Sequence, residues 1–257
     1  MTEEVRQRKR ISIKETFNKY VPEFNEENMF WAQVLAAVVV GLVTLVLLWR
    51  LLRGTSKRRA ILLMGLCESG KTHLFSQLCY GTDVTSVTSI KESVGEYSSG
   101  KKSLTMYDLP GHERIRYGLF EKVKKLARAI IFVVDSATIQ KDVRDVAEFL
   151  YSTLCDGAVQ SGGLRVLVVC NKQDLKLARA AALIQKTLEK EMNLLRVTRA
   201  SQLQSVGEGS NNNSFLGRQG QDFEFSHLSP LKVEFVETTA KGGENLAPVI
   251  SWLQQMA

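Results

Sequence analysis

No two cysteines in this chain stand at C-x-x-C spacing, and there are only four of them, Cys67, Cys79, Cys155 and Cys170. That argues against a disulfide framework or a thiolate metal site and for reduced thiols in a cytosolic domain. Thr2 rather than Gly follows Met1 and no C-a-a-X sequence closes the chain, so neither myristoylation nor prenylation is expected. Charge is absent from Met29 to Trp49, and acid is absent from the stretch holding Arg50, Arg53, Lys57, Arg58 and Arg59 that follows. Signs of wholesale disorder are lacking too. Hydrophobic residues make up 44% and charged residues 24% of 257 positions, as in an ordinary globular protein. About 200 residues follow the apolar run, enough for one α/β domain with a substantial core.

What is there begins with that run. Its twenty-one residues, with only Gln33 and Thr44 clearly polar, are long enough at about 1.5 Å per residue to cross a hydrocarbon core of about 30 Å. Trp31 and Trp49 sit near its ends as interfacial anchors. A cleaved signal peptide would carry a shorter apolar region of about 7 to 15 residues. Lys14 and Lys19 are the basic residues near the first end, against five beyond the second, so the second side is expected in the cytosol. The net charge of +7 could suggest nucleic acid, but that basic cluster beside an apolar segment suits a membrane surface better, and no direct nucleic-acid binding is expected. The organisation read from this is a lumenal tail over 1–28, a transmembrane helix over 29–49, a basic juxtamembrane linker over 50–57 and a cytosolic domain over 58–257. The tail, with six Lys or Arg and six Glu and no apolar period, reads as mobile.

From Arg58 onward β-like and helix-like segments alternate. The near-continuous apolar runs Ile61 to Met64, Ile130 to Val134 and Leu164 to Cys170 suit strands buried on both faces of a parallel sheet. Ser103 to Tyr107 and Leu231 to Val236 are further strands. Val143, Val146, Ala147, Leu150 and Leu154 mark one helix face, and Leu177, Ala181, Ile184, Leu188 and Met192 another. Glu244 to Met256 closes the chain as a helix. The fold class predicted is α/β, a doubly wound and mostly parallel sheet with its ligand at the C-terminal strand edges. Arg196 to Pro230, rich in Ser, Asn, Gln and Gly, is too long for an ordinary connection and reads as a mobile surface insertion. Asn212-Asn213-Ser214 within it fits a glycosylation acceptor that a cytosolic domain would not use.

The chemistry is concentrated in short motifs at strand ends. Gly65-Leu66-Cys67-Glu68-Ser69-Gly70-Lys71-Thr72 fits G-x-x-x-x-G-K-[ST], after an apolar run and before a helix-like segment, and with His73 next to it makes up the expected phosphate-binding stretch. Its glycines let backbone amides wrap a polyphosphate, Lys71 reaches the β and γ phosphates, and the Thr72 hydroxyl takes a magnesium site. A Gly-Ser turn before a surface helix would look the same in isolation, but further motifs follow. Asp108-Leu109-Pro110-Gly111 is D-x-x-G: the Asp108 carboxylate can hold magnesium through water and the Gly111 amide can detect a γ-phosphate. Asn171-Lys172-Gln173-Asp174 directly follows a buried run. The Asp174 carboxylate can accept from guanine N1–H and the exocyclic amine, whereas adenine would leave it unpaired, at about 1 to 3 kcal/mol or more. Lys172 would pack its stem on the base, Asn171 would brace the phosphate loop, and Thr239-Ala240-Lys241 stands where a loop amide would touch the guanine oxygen. This set disfavours an ATP-using protein.

At these residues the chain resembles small GTPases, in particular the Arf and Sar branch, over 58–257. The resemblance extends through His112-Glu113-Arg114-Ile115-Arg116 after Gly111. It implies GTP or GDP with Mg2+ as ligands, His112 in the place of a water-orienting Gln, and Thr88 as the switch-one magnesium ligand, with Thr85 and Ser86 close by. Cys67 puts a side chain near the γ-phosphate where some relatives have Gly. Fusion of such a domain to a membrane span, with GLCESGKTHLF as phosphate loop, looks like a receptor subunit of that branch. That likeness implies an endoplasmic reticulum location and a peripheral α subunit held by the GTP-bound form. It also implies a role in bringing ribosomes with nascent secretory chains to the membrane, with a ribosome or translocon as further partners. The branch by itself also allows a vesicle-trafficking switch with partner-accelerated hydrolysis. Two mechanisms stay open. In one, Lys71, Thr72, magnesium and the Gly111 amide stabilise the transferring phosphoryl group while His112 positions water. In the other, GTP mainly orders the switches as a docking surface.

Overall fold

A computed structural model describes residues 26–52, 58–83, 91–100, 102–206 and 215–256. The chain divides into two units, Met1–Ser56 and Lys57–Ala257. In the first, a helix α1 runs over Glu26–Leu52, and its described side chains, Phe30, Trp31 and those of 33–47, are exposed. Within those described residues no helix is long and apolar enough to cross a membrane. The span read over 29–49 therefore returns below as a proposal.

The second unit is built on a six-stranded sheet. In chain order its elements are β1 (Ala60–Met64), α2 (Lys71–Tyr80), β2 (Ser93–Ser99), β3 (Lys102–Asp108), α3 (Glu113–Val123), β4 (Ala127–Asp135), α4 (Ile139–Cys155), α5 (Gly157–Ser161), β5 (Arg165–Asn171), α6 (Ala181–Val206), β6 (Lys232–Glu237) and α7 (Ala247–Met256). The strand order is β2-β3-β1-β4-β5-β6. Pairing is parallel throughout except between β2 and β3, where Ser93 faces Asp108 and Ser99 faces Lys102. β2 is the strand that sequence patterning does not announce: it holds one buried side chain, Tyr97, in seven residues.

The inner strands are apolar at nearly every position because each face of the sheet has its own core, and side chains alternate between them. Ala60, Leu62 and Met64 of β1, Ile130, Phe132 and Val134 of β4, and Val166, Val168 and Cys170 of β5 enter one cluster with Phe149, Leu150, Ile184 and Leu188 of α4 and α6. Ile61, Leu63, Ala129, Ile131, Val133, Leu167 and Val169 enter the other, with Leu74 and Phe75 of α2 and Trp252 and Leu253 of α7. The chain leaves β1 toward β3 on one side and β4 on the other, so the C-terminal ends of these strands open the crevice where such sheets bind ligands.

Two expectations are corrected. Leu177 precedes α6 and is 76% exposed, so it is no part of the buried helix face. Residues 196–230 are not a surface insertion throughout. α6 continues to Val206, and Leu216, Phe223, Phe225 and Leu228 are buried in the α4–α6 core together with Leu231. Arg196, itself buried, holds that returning chain by donating to the carbonyls of Leu216, Arg218 and Gln221 and to Asn193 Oδ1. Residues 207–214, with Asn212-Asn213-Ser214, lie outside the described residues.

Candidate functional site

The end of β1 turns directly into the phosphate loop. Gly65 has φ 141 and Gly70 φ 89, conformations that L side chains rarely adopt, and neither has room for a Cβ. At Gly65 it would stand 2.2 Å from Val133 O, and at Gly70 2.2 Å from Asn171 Nδ2. Inside the loop, Ser69 Oγ donates to Leu66 O at 2.9 Å and Lys71 Nζ donates to the same carbonyl at 2.6 Å. Gly70 caps α2 with no side-chain bond, and the first turn carries no acid. The amides at that helix start and their partial positive charge thus face the loop.

Lys71 and Asp108 form the charged centre. Thr72 Oγ1 donates to Asp108 Oδ2 at 2.8 Å, while Asp108 Oδ1 is buried with no hydrogen-bond partner. Burial pushes the Lys71 ammonium down from its ordinary range, and the Asp108 carboxylate pulls it back up. Burial likewise pushes the Asp108 carboxyl up, against the Thr72 hydroxyl and Lys71. Gly111 lies on the phosphate loop, where a Cβ would stand 2.5 Å from Cys67 N. Cys67 and Glu68 are exposed at the loop's outer rim, Glu68 with φ 61. His112 is exposed at the start of α3, where its Nδ1 accepts from Arg114 N at 3.4 Å. His73 Nδ1 lies 3.8 Å from Asp83 Oδ1.

Asn171 joins the remaining motifs. It is buried at the end of β5 and donates through Nδ2 to Ser69 O at 2.9 Å, the brace its sequence position suggests. Its Oδ1 accepts from Ala240 N at 2.9 Å, so the Thr239-Ala240-Lys241 loop hangs from the same side chain. Thr239 is buried, and Lys241 opens an exposed 3-10 turn. Lys172, with φ 64, forms an ion pair with Asp135 Oδ2 at 2.6 Å, and Asp174 is exposed. Gln173 Nε2 donates to Ser136 Oγ at 2.9 Å and Arg179 O at 3.0 Å, which fastens the loop to the end of β4. Thr88, Thr85 and Ser86 lie outside the described residues.

Sequence reasoning missed Asp135. Its Oδ1 also accepts from Ala137 N and Thr138 N, so it shapes the β4–α4 turn while fixing Lys172. The signal was an acid at the end of a buried strand. Arg116, named in the sequence only as part of the resemblance, is buried with its guanidinium 4.3 Å from the centre of the Phe149 ring, and its positive charge repels that of Lys71. The four cysteines form no disulfide with one another, and burial raises the Cys79 thiol to about 11 and the Cys170 thiol to about 12.

Comparison with known proteins agrees with this arrangement. The profile of the signal recognition particle receptor beta subunit family matches residues 56–233. The human signal recognition particle receptor subunit beta is 43% identical over 255 residues, with 94% of each chain covered. A chain in the structure of the mammalian signal recognition particle receptor superimposes with a TM-score of 0.69 at 45% identity, covering 77% of this chain and all of that one. A Chaetomium thermophilum receptor SRb-GTP/SRX complex contains a chain that is 20% identical, with a TM-score of 0.62 over 76% of this chain and 99% of that one, a likeness of fold. An α/β small-GTPase fold, a phosphate loop braced by Asn171, and this similarity along nearly the whole sequence place the chain in the family of signal recognition particle receptor beta subunits.

Proposed function

We propose that this chain is the membrane-anchored GTP-binding subunit of a signal recognition particle receptor. In this reading its GTP-bound state holds the receptor α subunit at the endoplasmic reticulum for co-translational targeting. The observation that carries the nucleotide part is the junction at Asn171, which fixes the phosphate loop through Ser69 and the base loop through Ala240 at once. Such a junction sets the distance between a polyphosphate and a base. Asp174, exposed beyond it, supplies the acceptor that guanine satisfies and adenine does not.

The residues fit a magnesium ion. Thr72 Oγ1 and the unpartnered Asp108 Oδ1, the latter through water, would hold Mg2+, which neutralises phosphate charge when bound. A polyphosphate beside Lys71 and a cation beside Asp108 would each favour the charge that burial now disfavours. His112 Nδ1 caps α3, which leaves Nε2 as the nitrogen that would meet an attacking water, and hydrolysis in this reading is slow or partner-driven.

Anchoring by 29–49, with the 58–257 domain in the cytosol, follows from the uncharged run and its basic flank. Mass spectrometry of the protein taken from detergent-solubilised membranes tests the whole reading, with bound guanine nucleotide and a stable α subunit as the expected result. Adenine nucleotide, or none, would overturn the nucleotide assignment. The protein should also resist alkaline carbonate extraction, and protease added to intact microsomes should digest the domain; full protection would reverse the orientation.

A further inference from the structure

The strands of the second unit tend to begin with a base and end with an acid. β3 runs from Lys102 to Asp108, β6 from Lys232 to Glu237, and β4, with Arg128 as its second residue, ends at Asp135. Because β1, β3, β4, β5 and β6 are parallel, with Ala60 level with Thr105 and Ala127, and Arg165 level with Ala129 and Lys232, their starts gather at one end of the sheet. The chain enters β1 at that end through Arg58 and Arg59, the last two of the five bases that follow the uncharged run.

Neighbouring acids do not neutralise this end. Glu121 and Asp156 are both taken up by Lys124, at 2.6 and 2.7 Å, and Glu234 by Arg165. Arg59, Lys122, Lys125, Arg128 and Lys232 are exposed and form an ion pair with no acid among the described residues. Arg128 owes its exposure to the backbone. The register of β1 against β4 shifts there, Ala60 facing Ala127 and Ile61 facing Ala129, so Arg128 is the extra residue of a bulge between two fully buried alanines. A bulge re-aims one side chain without ending the strand. Here it turns a guanidinium out of a strand that is buried at every other position up to Val134. Leu126, two residues earlier and among the same bases, is 48% exposed.

We propose that this end of the domain docks on the surface of an anionic phospholipid bilayer, with Arg59, Lys122, Lys125, Arg128 and Lys232 against the headgroups. The inference rests on the membrane-anchored reading given above. Cations are drawn to an anionic leaflet within about a Debye length of it. In the reverse orientation Asp108, Asp135 and Glu237 would meet that surface and be repelled, so the charge asymmetry along the strands selects one way round. Docked by its strand starts, the domain keeps the crevice at the strand ends turned away from the bilayer and open to nucleotide. Two features favour lipid over nucleic acid as the anion. An exposed leucine among the bases suits headgroups with hydrocarbon beneath them, and the basic end continues the cluster Arg50 to Arg59 that borders the uncharged run.

Amine acetylation of the full chain in phosphatidylcholine nanodiscs, with and without phosphatidylserine, tests this by mass spectrometry. With phosphatidylserine, Lys122, Lys125 and Lys232 should label several-fold more slowly, while Lys176, exposed in the loop that follows β5, labels at an unchanged rate. Raised salt should remove the difference. Arg59→Gln combined with Arg128→Gln leaves every lysine in place and should weaken the surface attraction about 5-fold for each charge lost, returning the three lysines toward their rate in neutral discs. Should the pair not fold, Arg59→Gln alone carries the same test. Equal labelling of the wild type in both discs overturns the proposal, as does equal slowing at Lys176, the sign of a charge effect spread over the whole domain. Protection that survives in the double variant overturns it too. Retention of the chain on RNA that the double variant loses, without a response to lipid, assigns this end to nucleic acid instead. A chain that does not enter the discs overturns the anchored reading and this inference with it.

Discussion

Asn171 and Ala240, far apart in sequence, are joined by a buried hydrogen bond of 2.9 Å, and the other end of the same amide group donates to Ser69 O at equal length. Asn171→Ala would leave the Ser69 carbonyl and the Ala240 amide without that partner, at about 1 to 3 kcal/mol each. The domain should melt about 4 to 8 °C lower for a loss of about 2 kcal/mol. Calorimetric melting of the nucleotide-free protein checks this, and an unchanged midpoint would show that the two loops do not depend on the bond.

Asp174 makes a prediction of selectivity rather than stability, since it is exposed and braces nothing. Asp174→Asn should lose the preference for GTP and accept xanthosine triphosphate, because an amide can donate to the xanthine 2-oxo group where a carboxylate cannot. Competition between the two nucleotides measures it. A variant that keeps the wild-type preference would remove Asp174 from the base site.

Asp108 should cost the nucleotide-free chain stability at neutral pH. Burial raises its carboxyl above the ordinary 3.8, so the folded chain holds this proton more tightly than the unfolded one. Its favourable contribution is then fully present below 3.8 and is lost as pH rises through the folded value. Asp108→Asn keeps an acceptor for Thr72 and removes the titration. Its melting temperature relative to wild type should therefore climb from pH 4 toward pH 7, while the magnesium dependence of nucleotide affinity weakens. A difference that stays flat across that pH series would refute the assignment.

Coupling between nucleotide and partner should be reciprocal. If γ-phosphate contacts order the segments around Gly111 and 84–90, the α subunit's N-terminal region should bind the GTP-loaded 58–257 fragment about 5- to 150-fold more tightly than the GDP-loaded one. The partner should in turn raise the preference of the chain for GTP over GDP by the same factor, and so slow GTP release. The fragment is suited to calorimetry, because a relative's solved chain is matched over its whole length by 77% of this sequence. Equal affinities would leave a nucleotide-stabilised anchor in place of a switch.

The parts of this molecule legible in its sequence are those whose physics is local. β1, β4 and β5 announce themselves because strands covered on both faces are apolar at every step, and the phosphate loop because its glycines must stand at fixed spacing. β2 was invisible, since an edge strand with one buried side chain has no pattern to show. The segment 215–231 misled for a related reason. Leu216, Phe223, Phe225 and Leu228 enter the core singly from a chain of Gly, Ser and Gln with no period, and the residue that holds them, Arg196, is a charge that ordinarily stays outside. Asp135 escaped because its partner, Lys172, lies far away along the chain.

The closeness of Gly70 to Asn171 bears on how such a sequence can drift through generations. Any side chain at position 70 would land 2.2 Å from the Asn171 amide nitrogen, and any at position 65 would land as close to a backbone oxygen that cannot be exchanged. The second position is therefore closed to substitution outright. The first is closed twice over, by its left-handed φ of 89 and by Asn171, which Ser69, 102 positions earlier, needs as its partner. Two motifs that look like separate words in the sequence meet in one contact, so a side chain added at position 70 would fall on Asn171 and on the bond it makes to Ser69.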